Sequence, residues 1–362
     1  MPIQDSADYI LQIENVTKTF AGSKAVDNVD LNVRRGEFVT LLGPSGCGKS
    51  TLLRMIAGFE VPTSGRISMR GQDMSNRPAY EREIGMVFQN LALFPHMNVY
   101  DNVAFGLRAR NRLDELDRKV RDMLSLVGLE GFETRRTGQI SGGQRQRVAL
   151  ARSLVTSPDL LLLDEPLSAL DLKLRRQLQI ELKRIQQEIG ITFIFVTHDQ
   201  EEALSMSDRV AVMNKGSVEQ FGTAIETYHF PKTEFVARFV GETNLLRGVV
   251  SERSSDGAVI CLDDCDTQVS VLTGTEVAAK GDRVAVSIRP EYVVLGSPDK
   301  HPVSAQITSH SFSGATVTYA LNSVAGPLLA QVPFLPDKGH PLPKGQAVSV
   351  GWPADSVTLI PE

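Results

Sequence analysis

The segment Gly43-Pro44-Ser45-Gly46-Cys47-Gly48-Lys49-Ser50 constrains this chain more than any other. It has the form G-x-x-x-x-G-K-[S/T] and lies between a short apolar run, Phe38 to Leu42, and a helical pattern from Lys49 to Ala57. That is the strand, loop and helix setting the motif requires. At average composition its four specified positions would coincide somewhere in such a chain at only about one percent, so a mere glycine-rich turn is a weak alternative. Chemistry accounts for the spacing. Glycines let successive backbone N–H groups converge on phosphate oxygens, and the helix that follows adds its positive end. Lys49 would reach the β and γ phosphates of a nucleotide, and the Ser50 hydroxyl would hold Mg²⁺.

A strand feeding such a loop belongs to an α/β layer structure, and the pattern around it agrees. Leu11 to Val16 and Val26 to Val33 read as an antiparallel pair, and Arg66 to Arg70 and Ile84 to Phe88 as further strands. Asp101 to Leu129 is helix-rich and heavily charged. Leu160 to Leu163 and Ile191 to Val196 are buried strands, and between them Leu174, Leu178, Leu182, Ile185 and Ile189 fall at helical spacing. The texture changes near residues 240 to 246. Residues 245 to 362 hold 8 basic and 12 acidic side chains against 30 and 31 before them. Short Val-rich runs there (Arg283 to Ile288, Ala315 to Ala320, Ala347 to Val350) are broken by Gly, Pro, Asp and Ser, an all-β signal. At 362 residues two domains are the expectation, and they divide as 1–242 and 243–362.

Composition narrows the setting. With 42% apolar and 22% charged residues the chain is neither disordered nor a disulfide scaffold. A net charge of -5 argues against a surface built to neutralise nucleic-acid phosphates. Three cysteines, Cys47, Cys261 and Cys265, point to a reducing compartment, and Cys261 and Cys265 have no second pair to complete a zinc site. The longest apolar runs fall far short of the ~20 residues a spanning helix needs. The opening MPIQDSADYI has no basic and then apolar signal pattern, so cytoplasmic residence is expected.

Two further segments carry chemistry. Leu160 to Leu163 ends in Asp164 and Glu165. Acidic residues at a strand end are common in any protein, but beside a phosphate-binding loop they gain roles: Asp164 in the Mg²⁺ shell, Glu165 polarising the water that attacks the γ-phosphate. Ser141-Gly142-Gly143-Gln144 opens a helix running to about Leu154. Ser is a preferred N-cap, and the paired glycines leave amides accessible for a second anion site.

Taken in order, these segments resemble the nucleotide-binding subunit of an ABC transporter: a P-loop ATPase domain with antiparallel β and helical subdomains, followed by an all-β, OB-like (TOBE) domain. Ile140 stands where that family's signature usually has Leu, with Ser141 to Gln144 intact. The resemblance implies more. Gln89 matches the Q-loop glutamine that touches Mg²⁺ and the attacking water, and Ser168-Ala169-Leu170-Asp171 matches the D-loop. His198 matches the switch histidine on the γ-phosphate, and Phe20 stands at the aromatic that stacks on adenine, where Tyr is commoner. Taken singly, a His after a strand, a Gln in a loop or a Phe would each be a polar end or a core residue; only their order lifts them. Arg145 and Arg147 are expected to pack or pair on their helix. The implied catalytic set is Glu165, His198, Gln89 and Lys49. ATP would be held by Phe20, Gly43, Pro44, Ser45, Gly46, Cys47, Gly48, Lys49, Ser50, Thr51, Ser141, Gly142, Gly143, Gln144 and Asp171, and Mg²⁺ by Ser50, Gln89 and Asp164.

One phosphate loop and one signature per chain imply a head-to-tail homodimer. The resemblance also implies two transmembrane permease subunits, an extracytoplasmic substrate-binding protein acting indirectly, no nucleic-acid partner, and a peripheral place on the cytoplasmic face of the inner membrane. Asn90 to Tyr100, apolar and aromatic, would either fill the helical subdomain or border the groove that receives a permease helix. Ile180 to Gln186, Gly190 to Asp199 and Gly241 to Asn244 look most like the polyamine (spermidine/putrescine) importer ATPases, with iron(III), sugar and phosphonate importers sharing much of the wording. A non-transport ABC ATPase and a catalytically silent binding protein are the readings outside transport.

Overall fold

A computed structural model describes residues 9–254, 257–263, 267–272, 278–297, 301–335 and 340–361. The expectations for Cys265 and for the first eight residues fall outside that set; Cys261 is a free, exposed thiol. Two compact units meet at Ala224/Ile225.

In the first unit β1 (Tyr9–Phe20) and β2 (Ser23–Arg34) form the antiparallel pair read from the sequence, with Ile13 opposite Leu31. After them come β3 (Phe38–Leu42), α1 (Lys49–Ala57), β4 (Ser64–Met69), β5 (Gln72–Asp73) and β6 (Ile84–Val87). A helical block of α2 (Val99–Ala109), α3 (Leu116–Leu126) and α4 (Gly142–Leu154) leads to β7 (Leu160–Asp164), α5 (Leu172–Ile189), β8 (Thr192–Thr197), α6 (Gln200–Met206), β9 (Arg209–Asn214) and β10 (Ser217–Thr223). Two sheets result: β2-β1-β4-β5, and a six-stranded sheet ordered β10-β9-β3-β8-β7-β6 whose β9, β3, β8, β7 and β6 run parallel.

The unbroken apolar runs of β3, β7 and β8 follow from burial on both faces, as in parallel sheets covered on either side. Alternate residues enter different cores. Phe38, Leu161, Leu163, Phe193 and Phe195 pack with the α2 to α5 helices. Val39, Leu41, Leu160, Leu162, Ile194 and Val196 pack with α1 and the β1–β2 sheet. On α5, Leu178, Leu182 and Ile185 are buried and Leu174 packs partly, while Ile189 lies exposed at the last residue before the left-handed cap Gly190. The apolar stripe of the sequence thus runs off the core one turn before the helix ends. Of the 90–100 segment, Leu91, Leu93 and Tyr100 pack on the helical core, and the Phe94 ring lies tilted against that of Phe105, centroids 4.5 Å apart. No helix among the described residues is long and apolar enough to cross a membrane.

The second unit opens with two short helices that the sequence does not advertise, α7 (Ala224–His229) and α8 (Glu234–Phe239). Among the described residues ten strands follow: β11 (Asn244–Arg253), β12 (Ala258–Leu262), β13 (Gln268–Val271), β14 (Arg283–Ile288), β15 (Val294–Gly296), β16 (Val303–Phe312), β17 (Thr316–Ser323), β18 (Gly326–Pro333), β19 (Ala347–Gly351) and β20 (Val357–Pro361). They pair antiparallel in two five-stranded sheets, β13-β12-β11-β14-β20 and β15-β19-β16-β17-β18, around one apolar core. Asn244 joins the sheets, its amide donating to the Leu329 carbonyl at 2.9 Å and accepting from the Leu329 N–H at 2.7 Å. Arg289, from the Ser287-Ile-Arg-Pro-Glu291 run, is buried under the helical pair. Its guanidinium donates to the carbonyls of Tyr228, Ala237 and Glu242 and lies 4.2 Å from the Tyr228 ring.

Candidate functional site

Four strands of the parallel set, β3, β8, β7 and β6, each deliver one piece of the predicted site at the carboxyl end, where ligands of open α/β sheets bind. The glycine-rich loop follows β3, Asp164 and Glu165 close β7, His198 follows β8, and Gln89 comes two residues after β6. The sheet order β3-β8-β7-β6 sets these ends side by side.

The loop is shaped by close approaches that leave no room for a side chain. A Cβ on Gly43 would stand 2.4 Å from the Met213 carbonyl oxygen. One on Gly48, which caps α1 with φ +105°, would stand 2.3 Å from that of Ala25. Lys49 is buried, its ammonium donating to the carbonyls of Gly43 at 2.7 Å and Pro44 at 3.0 Å, so the loop wraps around its own cation. Cys47 also turns inward, and burial pushes its thiol up from the ordinary range; it serves the loop through its backbone. Ala25, Ser45, Gly46, Gly48, Lys49, Ser50, Thr51 and Glu165 line a cleft of about 210 Å³. The presence of Ala25 there carries no sequence signal; the β1–β2 sheet brings it in.

Ser50, in the wall of this cleft, meets Asp164, which lies 114 residues away, buried and next in sequence to Glu165: the hydroxyl donates to the carboxylate at 2.9 Å. Burial raises the Asp164 pKa, and the Ser50 bond only partly offsets this. A desolvated carboxylate beside a hydroxyl and within one residue of Glu165 is a place that gains from a hard cation. Such an ion would find oxygen donors in Ser50, Asp164 and the Gln89 side-chain amide. Among the described residues no group of three or more His, Cys, Asp or Glu side chains could hold an ion by itself, so bound phosphate and water would have to complete its shell.

Glu165 is the hub. Its carboxylate accepts from the Gln89 amide at 3.3 Å and stands 3.5 Å from His198 Nδ1. Its backbone is left-handed, φ +43°, unusual outside glycine, and its N–H donates to the Val196 carbonyl at 3.1 Å. His198 is the exposed member of the trio, its side chain 55% accessible.

Ser141 to Gln144 do not line the cleft. They begin α4 with a capping box: Ser141 Oγ accepts from the Gln144 N–H at 3.3 Å, and the Gln144 side chain accepts from the Ser141 N–H at 2.8 Å. Gly143 packs tightly on Leu174, while beside Gly142 there is space. Asp171 caps α5, accepting from the Leu174 N–H at 3.0 Å. Phe20, at the end of β1, is 44% exposed with the Lys18 ammonium 4.8 Å from its ring, so it is not a core residue. Arg145 donates to the Ile140 carbonyl at the start of its own helix, as expected, whereas Arg147 reaches across to Glu181 of α5 at 2.6 Å instead of pairing within α4.

Comparison with known proteins identifies the family. The ABC transporter family model matches residues 26–168, and the TOBE domain model residues 286–360. A spermidine/putrescine import ATP-binding protein of Rubrobacter xylanophilus is 47% identical over 95% of this chain and 92% of its own length. One of Marinobacter nauticus is 47% identical over 95% and 93%. Among solved structures, cbiO1 of Clostridium perfringens, part of an ABC transporter complex, is similar with a TM-score of 0.57 and 35% identity over 60% of this chain and 90% of that one. An ATP-binding cassette solved as a dimer after hydrolysis, with ADP and Pi, is similar with a TM-score of 0.53 and 34% identity over 59% and 98%.

Proposed function

The chain belongs to the ABC transporter ATPase family, and from that premise we propose that it is the ATP-hydrolysing subunit of a polyamine (spermidine/putrescine) importer. The observation that carries the reading is the convergence of Lys49, Ser50, Asp164, Glu165, Gln89 and His198 on one sheet edge, in a chain 47% identical to spermidine/putrescine import ATP-binding proteins over nearly its whole length.

Each residue then has a task. Amides of the Gly43–Ser50 loop and the start of α1 bind the β and γ phosphates of ATP, and Lys49 exchanges its carbonyl partners for phosphate oxygens. Ser50, Asp164 and Gln89 would hold Mg²⁺, which would supply neutralisation of phosphate charge. Glu165 takes the proton of the attacking water, oriented through Gln89, and His198 contacts the γ-phosphate. Phe20 stacks on adenine. The Ser141–Gln144 helix start and Asp171 lie outside the cleft of their own chain, which suits a role toward the nucleotide of a second copy in a head-to-tail homodimer. ATP then favours the closed dimer, and hydrolysis removes that preference.

Two permease subunits bind where aromatic rings reach the surface: Phe59 and Phe105 are 54% and 40% exposed, and each lies tilted against a neighbouring ring, Phe88 and Phe94. That contact keeps the subunit peripheral on the inner cytoplasmic face, while the extracytoplasmic binding protein selects the cargo. By sequence, residues 1–242 make up the ATPase domain and 243–362 the TOBE domain, with residues 225–242 belonging to the second compact unit of the fold. The reading is tested by uptake of labelled spermidine in a strain lacking this gene. Loss of uptake, restored by the native chain and not by Glu165→Gln, is the expected result. Normal spermidine uptake with loss of iron(III), sugar or phosphonate uptake would reassign the cargo.

A further inference from the structure

Around His198 lies a group of charges that none of the roles above uses. Arg175, in the first turn of α5, has a side chain only 25% exposed. One guanidinium nitrogen donates to the Leu170 carbonyl at 3.2 Å, and another to Asp199 Oδ2 at 3.2 Å. Its Nε is buried without a hydrogen-bond partner and lies 3.8 Å from Glu202 Oε1. Glu202, itself 5% exposed, is held by the Thr197 hydroxyl at 2.5 Å. That hydroxyl also accepts from the Asp199 N–H at 3.0 Å, and Asp199 Oδ1 caps α6 by accepting from the N–H groups of Glu201 and Glu202.

Both neighbours of His198 are therefore fixed by this network while His198 itself stays largely exposed. The opposite end of the network holds the turn Ser168–Asp171: the Arg175 N–H donates to the Asp171 carbonyl at 2.9 Å and its guanidinium grips Leu170. Burying these charges is costly unless they are paired with good geometry. Even here the pairing is one bond short, because an N–H···O bond closes at about 2.9 Å and Arg175 Nε stops short of Glu202. A shift of the α5 start by less than about 1 Å would complete it. A joint with one bond to gain between two loops can transmit a small displacement from either.

We propose that Arg175 is a positioning residue that couples the turn Ser168–Asp171 to the loop carrying His198, with Asp199 and Glu202 as its counter-groups, so that the two loops move as one during ATP turnover. The proposal rests on His198 contacting the γ-phosphate.

The test is single-turnover and steady-state phosphate release by the full chain in its reconstituted transport complex. Arg175→Ala should lower kcat at least tenfold while the KM for ATP stays within threefold, and Arg175→Lys should recover part of the loss. The double variant Arg175→Ala/His198→Ala should be no slower than His198→Ala alone. Multiplicative losses in the double variant, or wild-type kcat in Arg175→Ala beside a slow His198→Ala, would overturn the proposal by itself. Wild-type turnover in His198→Ala would remove both the proposal and the histidine assignment beneath it. If Arg175→Ala does not fold, Arg175→Lys and Glu202→Gln carry the test: Glu202→Gln keeps the side-chain shape and should cost about threefold in kcat, and wild-type kcat in both would refute the coupling.

Discussion

Replacing Glu165 by glutamine separates chemistry from architecture at this site. The amide has the carboxylate's shape, can still accept from Gln89, and adds no strain, because the left-handed backbone at this residue, φ +43°, burdens both side chains alike. Its effect on the neighbour is favourable: the Glu165 charge is one of the influences raising the Asp164 pKa, so its removal relieves a like-charge repulsion. The melting temperature of Glu165→Gln should therefore equal or slightly exceed that of the native chain. Turnover should fall steeply. Positioned general bases contribute about 10²- to 10⁴-fold, and at 1.36 kcal/mol per factor of ten that is a barrier increase of about 3–5 kcal/mol. Phosphate release should drop by that factor in the reconstituted complex, while equilibrium ATP binding stays within threefold and the ATP-bound dimer accumulates. Turnover within threefold of native would refute Glu165 as base; a tenfold loss of ATP affinity with little change in turnover would make it a binding residue instead.

Other perturbations follow from the same geometry. Gly48→Ala forces a side chain against the Ala25 carbonyl at a backbone angle of +105°, and both are fixed by main chain, so about 2–3 kcal/mol of stability and most ATP binding should be lost in thermal melts and nucleotide titrations. Asp164 is an acid whose pKa folding raises, so its burial costs nothing below the unfolded value of 3.8 and the full penalty applies only above the folded value. Nucleotide-free Asp164→Asn should hence melt above the native chain near pH 7, with the gap shrinking toward pH 4, while Mg²⁺-dependent hydrolysis disappears. Arg289→Met leaves the carbonyls of Tyr228, Ala237 and Glu242 without their donor, and calorimetry should show the unit from Ile225 onward destabilised by about 1–3 kcal/mol with ATP binding retained.

How much of this was legible beforehand differs by element. The strands Phe38–Leu42 and Leu160–Asp164 announce themselves because a parallel sheet buried on both faces needs unbroken apolar runs. By contrast α7 and α8, six residues each, are too short to show a helical period, and β16 hides because Gln306 and the five residues Thr308 to Phe312 face solvent. Arg289 was visible only as part of a familiar run of letters; its carbonyl partners lie on segments about 50 to 60 residues away.

Sequence alone determined the loop that binds phosphate, the two carboxylates at a strand end and the change to β structure near residue 244, since each is written in consecutive residues whose backbone freedom or apolar run acts locally. Tertiary structure decided what those pieces do together. Gln89, Glu165 and His198 lie within 3.3 to 3.5 Å of one another through Glu165, and Ser50 meets Asp164, only because the strand order β3-β8-β7-β6 places four carboxyl ends along one edge. Strand order is fixed by the two cores that cover the sheet, and no single stretch of the chain contains that information.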